Sequence, residues 1–281
     1  ATQFPRITFS KFAANSHSIS LAVPPIERLK VAISHNPIFN QAMSTGATVA
    51  RIDQAAVDAE FAKITSTPKM TVEGTAGKVF GMFLVLLATA GVTWFFGLTA
   101  LMFPAMLVGL GLGLWATFGK KVRPGVVIAY AAAEGVFLGG ITLLFETMYP
   151  GIAQQAVLAT LCTAGAMFAA YRFGWIKVNA RFTRVMTFAL IGYMAFGLIN
   201  LLVGVFTNSA GAYGSSFGWL IALVGVGLAA FTLNLDFEAI VVGSREGLPV
   251  ENEWRAAFGL VSSLIWLYVE ILRLLAIFNR D

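Results

Sequence analysis

The chain has 281 residues, of which 58% are hydrophobic and only 12% are charged, and its formal net charge is +5. A soluble domain usually carries about 25% charged residues, so most of this chain must be solvated by lipid. Its single cysteine, Cys162, excludes a disulfide within the chain, and its two histidines, His17 and His35, lie outside the apolar segments. No cofactor and no cysteine or histidine metal site is therefore expected in the apolar region.

Residues 1–77 differ in composition from the rest of the chain. They mix Pro, Ser, Asn, Thr and charged residues, and they contain one weakly helical stretch, AAVDAEFAKI, at residues 55–64. This composition predicts a cytoplasmic N-terminal tail that is largely disordered or lies on a surface. No sustained apolar run follows its start, so the tail does not have the form of a signal peptide.

From Val79 onward the chain divides into apolar segments of about 20 residues, the length that crosses a hydrocarbon layer of about 30 Å. Because the bilayer core offers no water, backbone amides must pair within each segment, as they do in a helix. No segment alternates as a barrel strand does. The sequence therefore predicts an all-α, seven-helix membrane domain at residues 78–281. The predicted spans are residues 79–98, 100–119, 125–146, 151–171, 183–206, 216–241 and 255–278.

The loops between these spans alternate in charge. Lysine or arginine occurs before the first span and in the loops at residues 119–125, 171–184 and 245–255, whereas the other three loops contain neither. With seven spans, all the basic loops lie on the side of the N-terminus. The positive-inside rule makes that side the cytoplasm, so the C-terminus is expected outside. The basic residues are thus a topology signal, and nucleic acid is not expected as a partner.

Glycines four residues apart recur in and beside the predicted spans. The stretch VGLGLGLW lacks a preceding strand and a P-loop lysine, so it is not a nucleotide-binding loop. Spacing of this kind is typical of transmembrane helices that pack closely. The pairs are Gly109 with Gly113, Gly135 with Gly139, and Gly214 with Gly218.

Four ionisable residues, Glu134, Asp236, Glu270 and Arg273, lie well within the predicted spans. A charge there costs roughly 2.5 to 3.5 kcal/mol on insertion scales, so such residues often mark ion or proton paths. Glu134 is either a neutral acid bonded to a neighbouring helix or a proton-binding group. Glu270 and Arg273, three residues apart, either neutralise each other or leave Glu270 to reach another acid. These four residues are the candidate pH-sensing and gating residues.

Asp236 lies in the stretch LNLDFEAIVVG, which closes the sixth span. It is about five residues, or ~8 Å, from the predicted end of its helix. The side chain either snorkels to water or, because aspartate is short, requires a local polar partner. Glu238 projects about 200° around the helix from Asp236, so the two do not form a carboxylate pair.

The chain resembles the Bax inhibitor-1 family, also called transmembrane Bax inhibitor motif or YccA-like proteins. The features that carry the resemblance are seven spans, LNLDFEAIVVG at the end of the sixth, and an apolar last helix that ends near the C-terminus. The resemblance covers residues 78–281. EGVFLGG, FTRVMTFALIGYMAFGLINLL, WLYVEILRLLA and the NPIFN of the tail look like the actinobacterial branch. The resemblance implies a multi-pass protein of the bacterial plasma membrane through which calcium or other cations leak in a pH-dependent way.

The resemblance also implies a mechanism, in which two acids on the sixth and seventh helices of bacterial members share a proton and close the pore from the cytoplasmic side. Two neighbouring carboxylates cannot both ionise cheaply, so they titrate as a unit. Asp236 matches the sixth-helix acid. Counting along the last helix from NEWRAA puts the second acid at Ser263, whereas the L-Y-acid pattern puts it at Glu270. The latch is therefore either remodelled, with Glu134 or an arginine closing it, or weakened.

Two functions remain open at this stage. The first is a pH-sensitive cation leak channel. The second is a non-conducting regulator or assembly partner of a membrane protease or another membrane complex, since some bacterial relatives modulate a membrane-bound AAA protease and a long tail suits docking. An enzyme is not expected, because Asp236 is the only aspartate within the spans and no histidine lies there.

Overall fold

A computed structural model describes residues 68–119, 122–207, 209 and 211–280. The predicted helix at residues 55–64, the NPIFN stretch, both histidines, and Lys120 and Lys121 of one basic loop lie outside the described residues. The described part folds into seven long α-helices, and each is long and apolar enough to cross a membrane. The predicted all-α, seven-helix membrane protein is therefore confirmed.

The helix bounds follow the predicted spans closely. Short 3-10 helices at Thr99–Leu101 and Gly211–Gly214 precede the second and sixth α-helices. The seven are α1 (Val72–Phe95), α2 (Met102–Phe118), α3 (Pro124–Met148), α4 (Ile152–Arg172), α5 (Ala180–Thr207), α6 (Gly218–Arg245) and α7 (Asn252–Arg280).

Helix α1 begins earlier than the sequence predicts, so residues 72–77 of the predicted tail are helical. The Thr71 hydroxyl accepts a hydrogen bond from the Gly74 amide at 2.9 Å and caps this end. Helix α6 likewise continues four residues beyond its predicted span, to Arg245. Hydropathy locates the apolar part of a helix, whereas caps decide where its backbone hydrogen bonds end. The predicted spans were therefore too short at the start of α1 and at the end of α6.

The turn between α3 and α4 shows how a polar residue at a span end is used. Gly151 adopts a positive φ of 90°, which glycine tolerates without steric cost. The Glu146 carboxylate then accepts hydrogen bonds from the amides of Gly151, at 2.7 Å, and Ala153, at 2.9 Å. These amides lie at the start of α4, where backbone N–H groups have no hydrogen-bond acceptor within the helix, so Glu146 supplies one.

Helix α7 lies at the centre of the bundle and packs against α1, α3, α4 and α6. More than half of its membrane-crossing window is buried, the largest share among the seven spans. Helix α5, by contrast, packs mainly on α6 and the Gly211–Gly214 turn, and it exposes large apolar residues such as Phe188, Met194 and Phe206. The helix richest in polar side chains is thus shielded from lipid, while α5 faces it.

One end of the bundle collects the segments that the sequence places on the basic side. Lys69 pairs with Pro249 in an isolated antiparallel bridge, which joins the segment before α1 to the α6–α7 loop. Arg255, at the start of α7, donates from Nη2 to the carbonyl of Gly119 in the α2–α3 loop at 3.2 Å. Each membrane helix takes the chain to the other end of the bundle, so two segments share an end only if an even number of helices lies between them. Six helices separate the segment before α1 from the α6–α7 loop, and four separate the α2–α3 loop from the start of α7. These contacts therefore agree with seven spans. The assignment of this end to the cytoplasm stays a prediction from charge.

A buried carboxylate ties α1 to α7 at this end. Glu253 is 2% exposed, and its Oε1 accepts hydrogen bonds from the amide of Thr71 at 2.8 Å and from its hydroxyl at 3.1 Å. Its Oε2 forms an ion pair with Lys78 of α1. The neighbouring backbone of Met70 donates to Leu248 at 2.6 Å. We call residues 68–71, Lys78 and residues 248–253 the N-terminal clasp.

Glycines allow α3 to approach its neighbours closely. A Cβ on Gly139 would lie 2.9 Å from both the Ala90 Cα and the Thr93 Cβ of α1. Gly109 and Gly113 of α2 similarly face side chains of α3. The predicted role of these glycines in helix packing agrees with the structure, because an added methyl group would collide with a neighbouring helix.

We expect Gly139→Ala to lower the thermal unfolding midpoint, Tm, of the detergent-solubilised protein by several degrees. Overpacking against a backbone that cannot move typically costs about 1–3 kcal/mol. The matched control is Gly81→Ala in α1, where a Cβ would meet nothing within 4 Å. Alanine favours a helix over glycine by about 1 kcal/mol, so Gly81→Ala should leave Tm unchanged or raise it. Equal effects of the two substitutions would contradict the packing described here.

Candidate functional site

Asp236 lies on α6 and faces α7. Its carboxylate interacts with the side chain of Ser263, which is 7% exposed. The α7 backbone comes close at Gly259, where a Cβ would lie 3.1 Å from Asp236 Oδ1. Asp236 Oδ2 is buried and has no hydrogen-bond partner among the described residues. The position that counting from NEWRAA gave for a second acid, Ser263, is thus the residue that faces Asp236.

Asp236 lies deeper than the sequence predicted. It precedes Arg245, the last residue of α6, by nine residues. That separation corresponds to about 14 Å along the helix, instead of the ~8 Å expected from the shorter predicted span. An aspartate side chain cannot reach the helix end over this distance, so of the two alternatives the structure supports a local polar partner rather than snorkelling.

The polar atoms that lack partners are concentrated at this depth. Within the described residues, the buried side-chain nitrogen and oxygen atoms without a hydrogen bond are Asn234 Nδ2 and Oδ1, Asp236 Oδ2 and Ser262 Oγ. Asn234 and Asp236 differ in depth by only about 3 Å. Buried polar atoms almost always have a protein or water partner, so this level of the bundle is suited to water or a cation.

Glu134 lies on the α2-facing side of α3. A Cβ on Gly109 of α2 would lie 2.6 Å from Glu134 Oε1, so this glycine makes room for the carboxylate. One turn earlier on α3, Tyr130 interacts with Glu134 and approaches Ser262 of α7. The consecutive serines of α7 therefore face different helices: Ser263 contacts Asp236 of α6, and Ser262 lies near Tyr130 of α3.

Glu270 and Arg273 form a separate cluster further along α7. Arg273 Nη1 donates to both carboxylate oxygens of Glu270, at 2.9 and 2.8 Å, and Trp266 Nε1 donates to Oε1 at 3.0 Å. Arg273 Nη1 also lies 3.3 Å from the Tyr213 hydroxyl. Glu270 lies about 10 Å beyond Ser263 by helix rise. Of the two alternatives for this pair, the structure shows mutual neutralisation and does not bring Glu270 to another acid.

A cavity of about 630 Å³ connects the two clusters. Ser262 and Ser263 line it at one end, and Glu270 and Arg273 line it about 10 Å further along α7. It lies between α5 and α7, where the rings of Tyr193 and Trp266 are 5.8 Å apart between centroids. Most of its lining is apolar, and its polar lining residues on α7 extend from Arg273 and Glu270 to Ser263, which faces Asp236.

Sequence reasoning missed the tyrosines of the site. Tyr193 and Tyr213 bond to each other through their hydroxyls at 3.0 Å beside Arg273. The available signal for Tyr193, and for Tyr130, was a hydroxyl in the middle of an apolar span, which needs a partner in the membrane. Tyr213 follows α5 in a short polar loop, and nothing in the sequence indicates that it returns to α7. Within the described residues, no group of three potential metal-ligating side chains occurs.

Comparison with known proteins agrees with this architecture. Residues 36–280 match the family model described as Bax inhibitor 1 like. The chain belongs to this family. The match begins at residue 36, so it covers the NPIFN stretch and much of the predicted tail, not only residues 78–281. No match is found among curated proteins. This Bax inhibitor 1 like protein is a multi-pass membrane protein, as its seven apolar helices also indicate.

We expect Gly225→Ala in α6 to disturb the Glu270 cluster and to lower Tm. A Cβ at this position would contact the Tyr193 hydroxyl and lie 2.6 Å from Glu270 Oε2. Glu270 cannot retreat because Trp266 and Arg273 hold it, so an overpacking cost of about 1–3 kcal/mol is expected. Gly227→Ala, two residues on, meets nothing within 4 Å and is the control. The interpretation fails if Gly227→Ala lowers Tm as much as Gly225→Ala does.

Proposed function

We propose that this protein is a pH-sensitive cation leak channel of the bacterial plasma membrane, that calcium is among its permeating ions, and that it is not an enzyme. The observation that supports this proposal most is the buried, unpaired Oδ2 of Asp236, placed where α6 meets α7 and beside Ser263, which lines the cavity. Acidic side chains inside a membrane bundle commonly mark ion or proton paths.

Asp236 is the proton-sensitive group in this proposal. When protonated, its carboxyl can donate a hydrogen bond and stay between α6 and α7 beside Ser263 at little cost. When ionised, it carries a charge that a single serine hydroxyl does not compensate, so it favours hydration or a cation and a wider separation of the two helices. A change in pH therefore shifts the balance between a sealed and an open contact.

Within the described residues, no acid takes the place of the family's second acid beside Asp236, whose carboxylate interacts with Ser263. Tyr171 of α4 donates to Glu238 at 2.7 Å, and Lys78 of α1 is paired with Glu253 of α7. Glu134 of α3 faces Gly109 of α2 and interacts with Tyr130. Asp236 therefore acts as a single acid with a serine partner, which makes the latch simpler than a shared-proton pair.

The conduit combines an open half and a closed half. The cavity along α7 supplies the half that runs from Arg273 to Ser263. About 14 Å of α6 separates Asp236 from the end of the bundle with the basic loops, where the N-terminal clasp joins α1, α6 and α7. Opening in this proposal requires α6 and α7 to separate over that length.

We expect purified protein in liposomes to release trapped calcium faster than empty vesicles, with a rate that changes between pH 6 and pH 8. Asp236→Asn should flatten that pH dependence, because the amide keeps the shape but cannot ionise. The control is Asn279→Asp, at an exposed position at the far end of α7, which should keep the wild-type profile. No release above empty vesicles at any pH would rule out the channel, and an unchanged profile in Asp236→Asn would rule out the assigned sensor.

We expect Ser263→Asp to rebuild an acid pair and to move the pH response of calcium release toward neutral pH. Two carboxylates held at the Asp236–Ser263 contact cannot both ionise cheaply, so they retain a shared proton. Ser262→Asp, one residue away and facing Tyr130, is the matched control and should not couple to Asp236. The idea that Ser263 occupies the place of the second acid is wrong if the profiles of the two variants are displaced equally.

The second candidate, a non-conducting regulator of a membrane protease or another membrane complex, is favoured by the N-terminal clasp. The clasp joins residues 68–71, which follow the predicted tail in sequence, to the start of α7 and to the α6–α7 loop, and in this candidate function a partner acts on the bundle through these contacts. Liposome release separates the two candidates, because a pure regulator gives no flux in the absence of its partner.

A further inference from the structure

The surroundings of Glu270 have the composition of a cation-binding site. Its carboxylate is 2% exposed and lies among the aromatic side chains of Trp266, Tyr193 and Tyr213. The rings of Tyr193 and Trp266 are 5.8 Å apart between centroids. A carboxylate with aromatic faces around it is the combination that binds ammonium and guanidinium groups through charge and cation–π attraction.

Arg273 fills this site with its own guanidinium. Its Cζ lies 4.6 Å from the centroid of the Tyr213 ring, within the range of a cation–π contact. Its Nη1 contacts both oxygens of Glu270 and the Tyr213 hydroxyl. Arg273, one turn from Glu270 on the same helix, therefore makes both the cation–π contact and the charged hydrogen bonds that the site offers to a cation.

The contact between Arg273 and Glu270 is not the strongest that these groups can form. A guanidinium binds a carboxylate best through two nitrogens that face two oxygens in parallel. Here Nη1 alone serves both oxygens, and within the described residues the hydrogen bonds of Arg273 all come from Nη1. The side chain of Arg273 is also 35% exposed, whereas that of Glu270 is 3% exposed. Arg273 is therefore the more accessible member of the pair.

Contacts that do not involve Arg273 also organise the site. Trp266 Nε1 donates to Glu270 Oε1, and the Tyr193 and Tyr213 hydroxyls bond to each other. The adjoining cavity of about 630 Å³ gives the arginine side chain and an incoming cation room to exchange places.

We propose that Glu270, Tyr193, Tyr213 and Trp266 form a binding site for a small mobile cation, and that Arg273 is a tethered guanidinium that occupies the site until such a cation displaces it. The inference deepens the proposed function, since the site borders the cavity that Ser263, the partner of Asp236, also lines. It rests on that function only for the role of the bound ion, because binding itself is measurable without flux.

The test uses the detergent-solubilised full chain and free guanidinium as the probe. Arg273→Ala removes the tethered cation, so about 10 mM guanidinium chloride, far below denaturing concentrations, should raise its Tm by about 2–4 °C. Sodium chloride at the same ionic strength is the salt control. Wild-type protein, in which the probe must first displace Arg273, should respond less than Arg273→Ala, and the double variant Glu270→Gln with Arg273→Ala, whose site lacks the carboxylate, should not respond.

The inference is overturned if guanidinium leaves the Tm of Arg273→Ala unchanged, or raises it equally in wild type and in the double variant. Should Arg273→Ala fail to accumulate, Arg273→Gln, which keeps much of the side-chain volume without the charge, takes its place. In that case the yield of folded Arg273→Ala from cells grown with and without guanidinium is compared as well. Rescue of folding supports the site, and a failure of guanidinium to act on either variant rejects it.

The outcome is distinguishable from that of the proposed function. A protein that gives no calcium release but binds guanidinium after Arg273→Ala loses the channel proposal and keeps the site. A protein that conducts while neither Arg273 variant responds to guanidinium keeps the channel proposal and loses the site.

Discussion

The burial of polar side chains on α7 is the constraint on which the rest of the structure depends. Glu253, Ser263 and Glu270 are each less than 10% exposed, and all three lie on the helix that the other helices surround. Because lipid cannot solvate such groups, the neighbouring helices must supply their partners. Helix α1 supplies Lys78 and its capping residue Thr71 to Glu253, and α6 supplies Asp236 to Ser263. Glu270 is instead satisfied mainly from α7 itself, by Trp266 and Arg273.

The two sides of the bundle differ in how firmly they pack. On one side, the glycines of α3 bring it into backbone contact with α1, and α2 packs on α3 through Gly109 and Gly113. On the other side, α5 contacts mainly α6 and leaves a cavity against α7. Close backbone packing resists movement, whereas a helix with few buried contacts moves at little cost. Each side also borders a cavity, and the one between α1, α3, α4 and α7 has a volume of about 720 Å³. The two sides therefore differ in backbone contact, and movement is expected mainly of the loosely packed α5.

The polar residues of the last helix have divided roles. Ser263 of α7 faces Asp236, whereas Glu270 lies about 10 Å from Ser263 along the same helix and pairs with Arg273. Asp236 and Glu270 therefore do not share a proton, and they belong to two sites of different chemistry. The first is a single acid with unsatisfied neighbours, and the second is a neutralised ion pair in an aromatic setting. The proton sensor and the cation site of the two proposals are thus distinct along one path.

The sequence by itself determined the number of membrane helices, their order and the family, because span length and hydropathy are properties of each segment alone. It also identified Asp236, Glu134, Glu270 and Arg273 as unusual, since a charge in an apolar run is visible without a fold. Only the tertiary structure decided what each of them faces. Ser263, rather than Glu270, meets Asp236, and Tyr213 returns from a loop to Arg273. Partners on different helices depend on helix rotation and depth, which long-range packing sets and local composition does not encode.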